Sequence, residues 1–88
     1  MEGFYVYILQ SLKSGMYYIG SSNNPENRLI EHNNGETPST KNKGPWIIKF
    51  KQHYETTTEA RRIELKLKRL KRRDYIEKII NDKLIKTK

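Results

Sequence analysis

The sequence predicts an α+β domain: a small three-stranded, mainly antiparallel sheet flanked by helices, in the order β-β-α-β-α-α. Three observations carry this. Two aromatic and β-branched runs, Phe4-Tyr5-Val6-Tyr7-Ile8-Leu9 and Tyr17-Tyr18-Ile19-Gly20, flank a short turn-like stretch from Gln10 to Gly15 and read as a hairpin. A later run, Trp46 to Tyr54, alternates apolar and charged residues as a half-exposed strand does. After it, Ala60, Ile63, Leu67 and Leu70, then Ile76, Ile79, Ile80 and Leu84, recur at helical spacing. Eighty-eight residues leave room for one core, so residues 1–88 are expected to form a single domain, with the core over about residues 4 to 84.

Each element has its own justification. The first strand, residues 4 to 10, is apolar or aromatic on both faces, which predicts a central place in the sheet. The second spans residues 16 to 22. Tyr7 and Tyr18 share a face if paired positions sum to an odd number such as 25 or 27, and are then direct or diagonal neighbours across the hairpin. Asn24 is a good N-cap and Pro25 suits the first helical position, while Asn33-Asn34-Gly35 supplies a stop, so a helix is predicted over about 25 to 33. Leu29 and Ile30 are its expected core contacts. Arg28 and His32, four apart, lie on one face of it.

Residues 36 to 45 form a polar stretch without periodicity, read either as a surface segment touching phosphates through its two lysines or as a plain connector. In the third strand Trp46, Ile48 and Phe50 are expected to point to the core and Lys49 and Lys51 away from it. Thr56 with Glu59 fits a capping box opening the second helix, and Asp74 with Glu77 a similar start to the third, which should run to about Leu84. Lys83 to Lys88 read as a polar tail that frays. Glu64 stands at the edge of the second helix's apolar stripe, in otherwise basic surroundings.

Composition narrows the function classes. There is no cysteine, so neither a disulfide framework nor a zinc–thiolate site is available, which fits a reducing compartment. No apolar run approaches the roughly 20 residues of a membrane span, and Met1-Glu2-Gly3 does not resemble the start of a signal peptide; a cytoplasmic home is expected. The net charge is +8, from 18 basic and 10 acidic residues, and it is uneven. Arg61, Arg62, Lys66, Lys68, Arg69, Lys71, Arg72 and Arg73 crowd a stretch with one acidic residue, Glu64. Such a block attracts polyanions; the plainer reading is a solvated helix face. Lys41, Lys43, Arg61, Lys68 and Arg72 are the candidate nucleic-acid contacts.

Hydrolysis of a phosphodiester needs an activated water, stabilisation of the charge growing on phosphorus, and neutralisation of the leaving oxygen. A divalent cation held by a carboxylate serves the last two. Arginine suits phosphate through its bidentate fork. A tyrosine, with an ordinary pKa of about 10, can deprotonate water only if cations lower that value. The chain offers Tyr7 and Tyr18, Arg28 with His32, and Glu64 for these roles. Each also has a structural reading: strand tyrosines, a surface arginine paired with Glu31, a histidine favoured by a helix C-terminus, and a helical glutamate paired with Lys68.

Taken in order, Tyr5-Val6-Tyr7, Tyr18-Ile19-Gly20, Arg28, His32 and Glu64 resemble the motif set of the GIY-YIG nuclease superfamily, and most closely its small single-domain bacterial proteins. The first motif departs from the family name, with Tyr5 for glycine and Val6 for isoleucine; the second is intact. The resemblance spans Tyr5 to about Ile80. It implies a divalent-metal-dependent endonuclease acting on DNA, in repair or recombination, with magnesium or manganese on Glu64. Tyr7 becomes the base, Tyr18 its partner, and Arg28 with His32 the phosphate clamp, while Gly20 allows close backbone packing or approach of substrate. Ser21 stands where some relatives carry lysine, and the asparagine of a late helix has no clear counterpart. A non-catalytic nucleic-acid-binding module on the same fold is the alternative. A domain this small could also rely on a partner protein for target choice.

Overall fold

A computed structural model describes residues 4–70 and 72–85. The elements are β1 (Phe4–Ser11), β2 (Tyr17–Ser22), α1 (Pro25–Asn33), β3 (Trp46–Tyr54), α2 (Thr57–Leu70) and α3 (Arg73–Asp82). The sheet has the order β2-β1-β3 and both pairings are antiparallel. The doubly apolar strand is therefore central. Tyr7 pairs with Gly20 and Leu9 with Tyr18, so pairs sum to 27 and the two tyrosines are diagonal neighbours on one face.

Because side chains alternate along β1, it feeds two cores. Val6 and Ile8 pack with Ala60, Ile63 and Leu67 of α2 and Ile76 and Ile79 of α3. Tyr7 and Leu9 pack on the other face with Trp46, Tyr18, Leu29 and Ile48. The helices α1 and α2 start where their end chemistry allows. The Asn24 side chain accepts from the Asn27 amide at 3.1 Å, with Pro25 at the first position, and Gly35 follows α1 at φ +78°. The Thr56 hydroxyl caps the Glu59 amide at 3.1 Å.

Four expectations change. Phe50 joins the α2–α3 face instead of the Trp46 face, because the β1–β3 register shifts: Ile8 pairs with Phe50 but Leu9 with Ile48, leaving Lys49 as an extra residue. Ile30 is 58% exposed and Leu29 alone carries α1 into the core. The helix α3 begins at Arg73, with no side-chain cap; the Asp74 carboxylate instead accepts from the Tyr75 amide and from Arg72. It ends at Asp82, where Lys83 turns left-handed at φ 58° and its amide reaches the Ile79 carbonyl. Leu84 is consequently exposed, and Ile85 is buried at 3% instead, its amide held by Gln52 Oε1 at 2.8 Å. The expected fraying therefore does not extend to Ile85, and the rest of that tail, with Lys71 and the three N-terminal residues, lies outside the described residues. Among the described residues no helix is long and apolar enough to cross a membrane.

Candidate active site

Tyr7 anchors the site. It is 1% exposed, and its ring lies over Gly20, directly opposite on β2. A Cβ added at Gly20 would stand 2.5 Å from the Tyr7 Oη and 2.6 Å from its Cζ. Of the two uses expected of this glycine, close packing is the one realised: the missing side chain is the space the phenol occupies.

The Tyr7 hydroxyl lies 3.2 Å from His32 Nε2, and His32 Nδ1 lies 2.7 Å from Thr40 Oγ1. The Thr40 hydroxyl donates to the Thr37 carbonyl at 3.4 Å, so its oxygen accepts from Nδ1–H. That assigns the tautomer from the network: Nε2 is unprotonated and accepts the Tyr7 proton. His32 is 2% and Thr40 1% exposed. The resemblance implied a phosphate clamp including His32; its ring instead sits behind Tyr7, edge-on to the Tyr18 ring at 4.8 Å between centroids, and away from solvent.

Burial pushes the Tyr7 phenol above its ordinary value, outweighing the neighbouring Arg28 guanidinium, which pulls it down. The cationic lowering expected of a tyrosine base is therefore overcome by desolvation, and at neutral pH Tyr7 is a hydrogen-bond donor. Burial, and then the Arg28 charge, push His32 below its ordinary value, with Glu31 opposing. His32 is thus neutral near pH 7. The sign for stability follows: in acid the unfolded chain protonates this histidine from about pH 6.5 downward while the folded chain resists, so folding weakens as pH falls through that window. A His32→Gln variant is expected to lose that part of the acid dependence, as measured by urea midpoints between pH 7 and pH 5; an unchanged pH slope would count against the assignment.

The segment from 36 to 45, read from sequence as a polar stretch, delivers Thr40. It is tied down by Trp46 Nε1 donating to the Thr40 carbonyl at 3.3 Å, by Asn33 bonding both backbone groups of Trp46 at 2.7 and 3.1 Å, and by the Ser11 hydroxyl on the Lys43 carbonyl at 2.7 Å. No local signal singles out Thr40 among the hydroxyls there; a burial partner eight residues away, His32, selects it.

Arg28 sits one turn before His32, half exposed and paired with Glu31. Glu64 comes from the other side of the sheet. Tyr7 and Tyr18 face α1, while α2 packs on the opposite face, yet the groups meet because β2 is an edge strand. The Ser21 hydroxyl donates to Glu64 Oε1, and Lys68 Nζ lies 2.8 Å from Oε2. Lys68 also stands 5.6 Å from the centre of the Tyr18 ring, so it links the two faces around the β2 edge. Ser21, noted from sequence as a departure, is thus the residue that orients the carboxylate. The Glu64 side chain remains 17% exposed.

Among the described residues no three of His, Cys, Asp and Glu cluster as a metal site. A single open carboxylate suits a magnesium-like cation, which keeps several waters and takes the rest of its oxygens from substrate phosphate. Lys68 and Arg72 line one groove beside the site, whereas Lys41 lines a separate polar cavity with His32 and Thr40. Arg61 is exposed two turns before Lys68 on α2, and Lys43 is exposed on the 36–45 segment.

A family model for the GIY-YIG catalytic domain matches residues 3–79. A UPF0213 protein of Clostridium perfringens is 36% identical over 83 residues, covering 93% of this chain and 87% of its own. A second, from Staphylococcus saprophyticus, is 31% identical over 80 residues, covering 90% and 96%. A third, from Nitratidesulfovibrio vulgaris, is 33% identical over 69 residues, covering 77% and 62%. No solved structure matches the chain at a significant level. With the antiparallel β2-β1-β3 sheet, the element order and a match over nearly its whole length, the chain belongs to the GIY-YIG family.

Proposed function

We propose that this protein is an endonuclease that hydrolyses phosphodiester bonds in DNA, in repair or recombination, with Tyr7, Tyr18, Arg28, His32 and Glu64 as its working residues. The observation that carries the reading is the hydrogen-bonded line Tyr7–His32–Thr40, whose Tyr7 ring lies over Gly20 of β2, the edge strand around which Lys68 joins Glu64 to the Tyr18 face. Two buried titratable groups hydrogen-bonded to each other, Tyr7 and His32, near a partly buried carboxylate are costly to keep and suit proton transfer.

Glu64 would hold Mg2+ or Mn2+, which when bound supplies charge neutralisation at the phosphate. Tyr7 takes a proton from the attacking water as its own proton passes to His32 Nε2, so no free phenolate is needed despite the raised pKa. The hydroxide attacks phosphorus, the ester oxygen departs and takes a proton from solvent, and His32 returns its extra proton to solvent through Tyr7, which restores the resting pair. Arg28 can leave its half-buried partner Glu31 for the phosphate, because it exchanges one anionic oxygen partner for a bidentate one. Tyr18 packs edge-on against His32 and keeps the imidazole in place. Lys41, Lys43, Arg61, Lys68 and Arg72 would contact the DNA backbone.

Thr40 is a positioning residue in this scheme. Thr40→Val is expected to lower kcat roughly tenfold with KM little changed, as one hydrogen bond is lost, and Thr40→Ser to restore it. Equal kcat in all three proteins would remove Thr40 from the scheme.

The reading is tested by incubating supercoiled plasmid and branched and single-stranded DNA oligonucleotides with magnesium, with manganese and with chelator. Nicking that requires the metal supports it. Salt-sensitive binding without cutting on any substrate would assign the domain to nucleic-acid binding alone.

A further inference from the structure

Beside the candidate centre, a groove of about 510 Å³ lies between the β2 edge and the corner where α2 meets α3. Buried Leu67 and Ile76 form its apolar base, Tyr17 and Tyr18 line its β2 side, and Met16, 49% exposed, adds a further apolar surface. Lys68, Arg72 and Arg73 line it too, and no carboxylate does among the described residues. The Arg73 guanidinium stands 4.7 Å from the Tyr17 ring centre. Neither the proton relay nor the metal carboxylate uses Met16, Tyr17 or Arg73.

We propose that this groove receives an unpaired base of the DNA strand, stacked against Tyr17 and Met16, while Lys68, Arg72 and Arg73 hold the phosphates flanking it. The inference rests on the nucleic-acid reading above and narrows it: the substrate carries an unpaired nucleotide next to the scissile phosphate, as in a single strand, a flap or a bulge.

Four features support one occupant. The volume falls within the range of small-ligand sites, roughly 300 to 1,000 Å³, and admits a nucleoside. The base of the groove is apolar, which a phosphate alone does not require but a base face does. The three cations give it the charge that complements a polyanion. Each is paired elsewhere, Lys68 with Glu64, Arg72 with Asp74 and Arg73 with Glu77, but the two arginine pairs are exposed and yield readily to phosphate, and Lys68 itself is half exposed. Finally, the groove is continuous with the centre, since Lys68 lines it and also contacts Glu64, and Tyr18 lines it and also contacts His32. A strand with its scissile phosphate at Glu64 would pass the next phosphate across Lys68 and its base into the groove. In a continuous duplex that base is stacked and paired, and cannot enter without being flipped out.

The test is binding of the full chain in chelator, by fluorescence anisotropy, to three probes: a short thymidine oligonucleotide, an abasic strand of equal length and charge, and a duplex. The thymidine strand is expected to bind roughly tenfold more tightly than the abasic strand, the size of a base–aromatic stacking contribution. Tyr17→Phe should keep that ratio, and Tyr17→Ala should reduce it below about threefold. Met16→Glu, at an exposed position whose change spares the core, should reduce it similarly. Equal affinity for the thymidine and abasic strands would overturn the proposal and leave the groove to a peptide or a second copy of the chain. So would a ratio unchanged in both Tyr17→Ala and Met16→Glu. Because no cutting is measured, failure here is distinct from failure of the nuclease reading, which the plasmid assay reports.

Discussion

Glu64→Gln is expected to lower metal-supported cleavage on the order of a thousandfold, while DNA affinity in chelator stays within about threefold of wild type. The substitution keeps the shape of the side chain and an oxygen for the Ser21 hydroxyl, so the packing beside Ile63 and Leu67 is preserved. What it removes is the negative charge at a site with no clustered second donor set among the described residues. It also frees Lys68, which now spends part of its charge on the carboxylate at 2.8 Å. Binding should therefore hold or rise slightly as cutting disappears. The two quantities are read from plasmid nicking in magnesium and from anisotropy in chelator. Cleavage retained within tenfold of wild type would place the metal elsewhere.

Gly20→Ala is expected to be strongly damaging, its methyl group meeting the closest contacts of any at the described glycines. The new Cβ would sit 2.5 to 2.6 Å from the end of the Tyr7 ring, inside contact distance, and Tyr7 is walled in at 1% exposure. The ring must shift, and both its neighbours shift with it: His32 through the hydrogen bond and Leu9 and Trp46 through packing. Overpacking of this kind costs about 1–3 kcal/mol, which for a domain of this size lowers Tm by roughly 4 to 20 °C. Displacing the Tyr7 hydroxyl by even an ångström should also reduce kcat about a hundredfold. Tyr7→Phe separates the two effects: the ring stays in place and stability falls modestly, but the proton relay is cut. A Gly20→Ala protein with wild-type Tm and wild-type turnover would show that the ring has room to move, and would contradict the close packing.

How much of this was legible without coordinates depends on the range of the interaction. Element order, the hairpin, the central place of β1 and the end signals of α1 were all readable, because composition, alternation and capping are properties of neighbouring residues. That the two tyrosines share a face was readable only on the condition of an odd pairing sum, which the observed sum of 27 meets. The site residues could be assembled only by their resemblance to a known motif order, since nothing local says that Glu64 and Tyr18 approach each other. Tyr18 faces α1 while Glu64 comes from α2 on the opposite face, and Lys68 joins them because β2 has no strand beyond it.

The misread elements share a cause. Phe50 followed the alternation of its strand until an extra residue, Lys49, shifted the register against β1 and turned it to the other core. Ile30 lies beside Leu29 in sequence but on the far side of a helix that reaches the core along a narrow stripe. Helix α3 ends without a glycine, by placing Lys83 in the left-handed region, and that choice swaps Leu84 for Ile85 as the buried residue. Thr40 looked like one hydroxyl among several, and its role exists only because Trp46, Asn33 and Ser11 pin the segment over His32. The sequence by itself determined which segments are strands and helices, the basic character of α2, and the chemical types available for phosphodiester work. The tertiary structure alone decided register, edge position and which polar groups are sealed from water, because each depends on partners 8 to 50 residues away, beyond the reach of any local period.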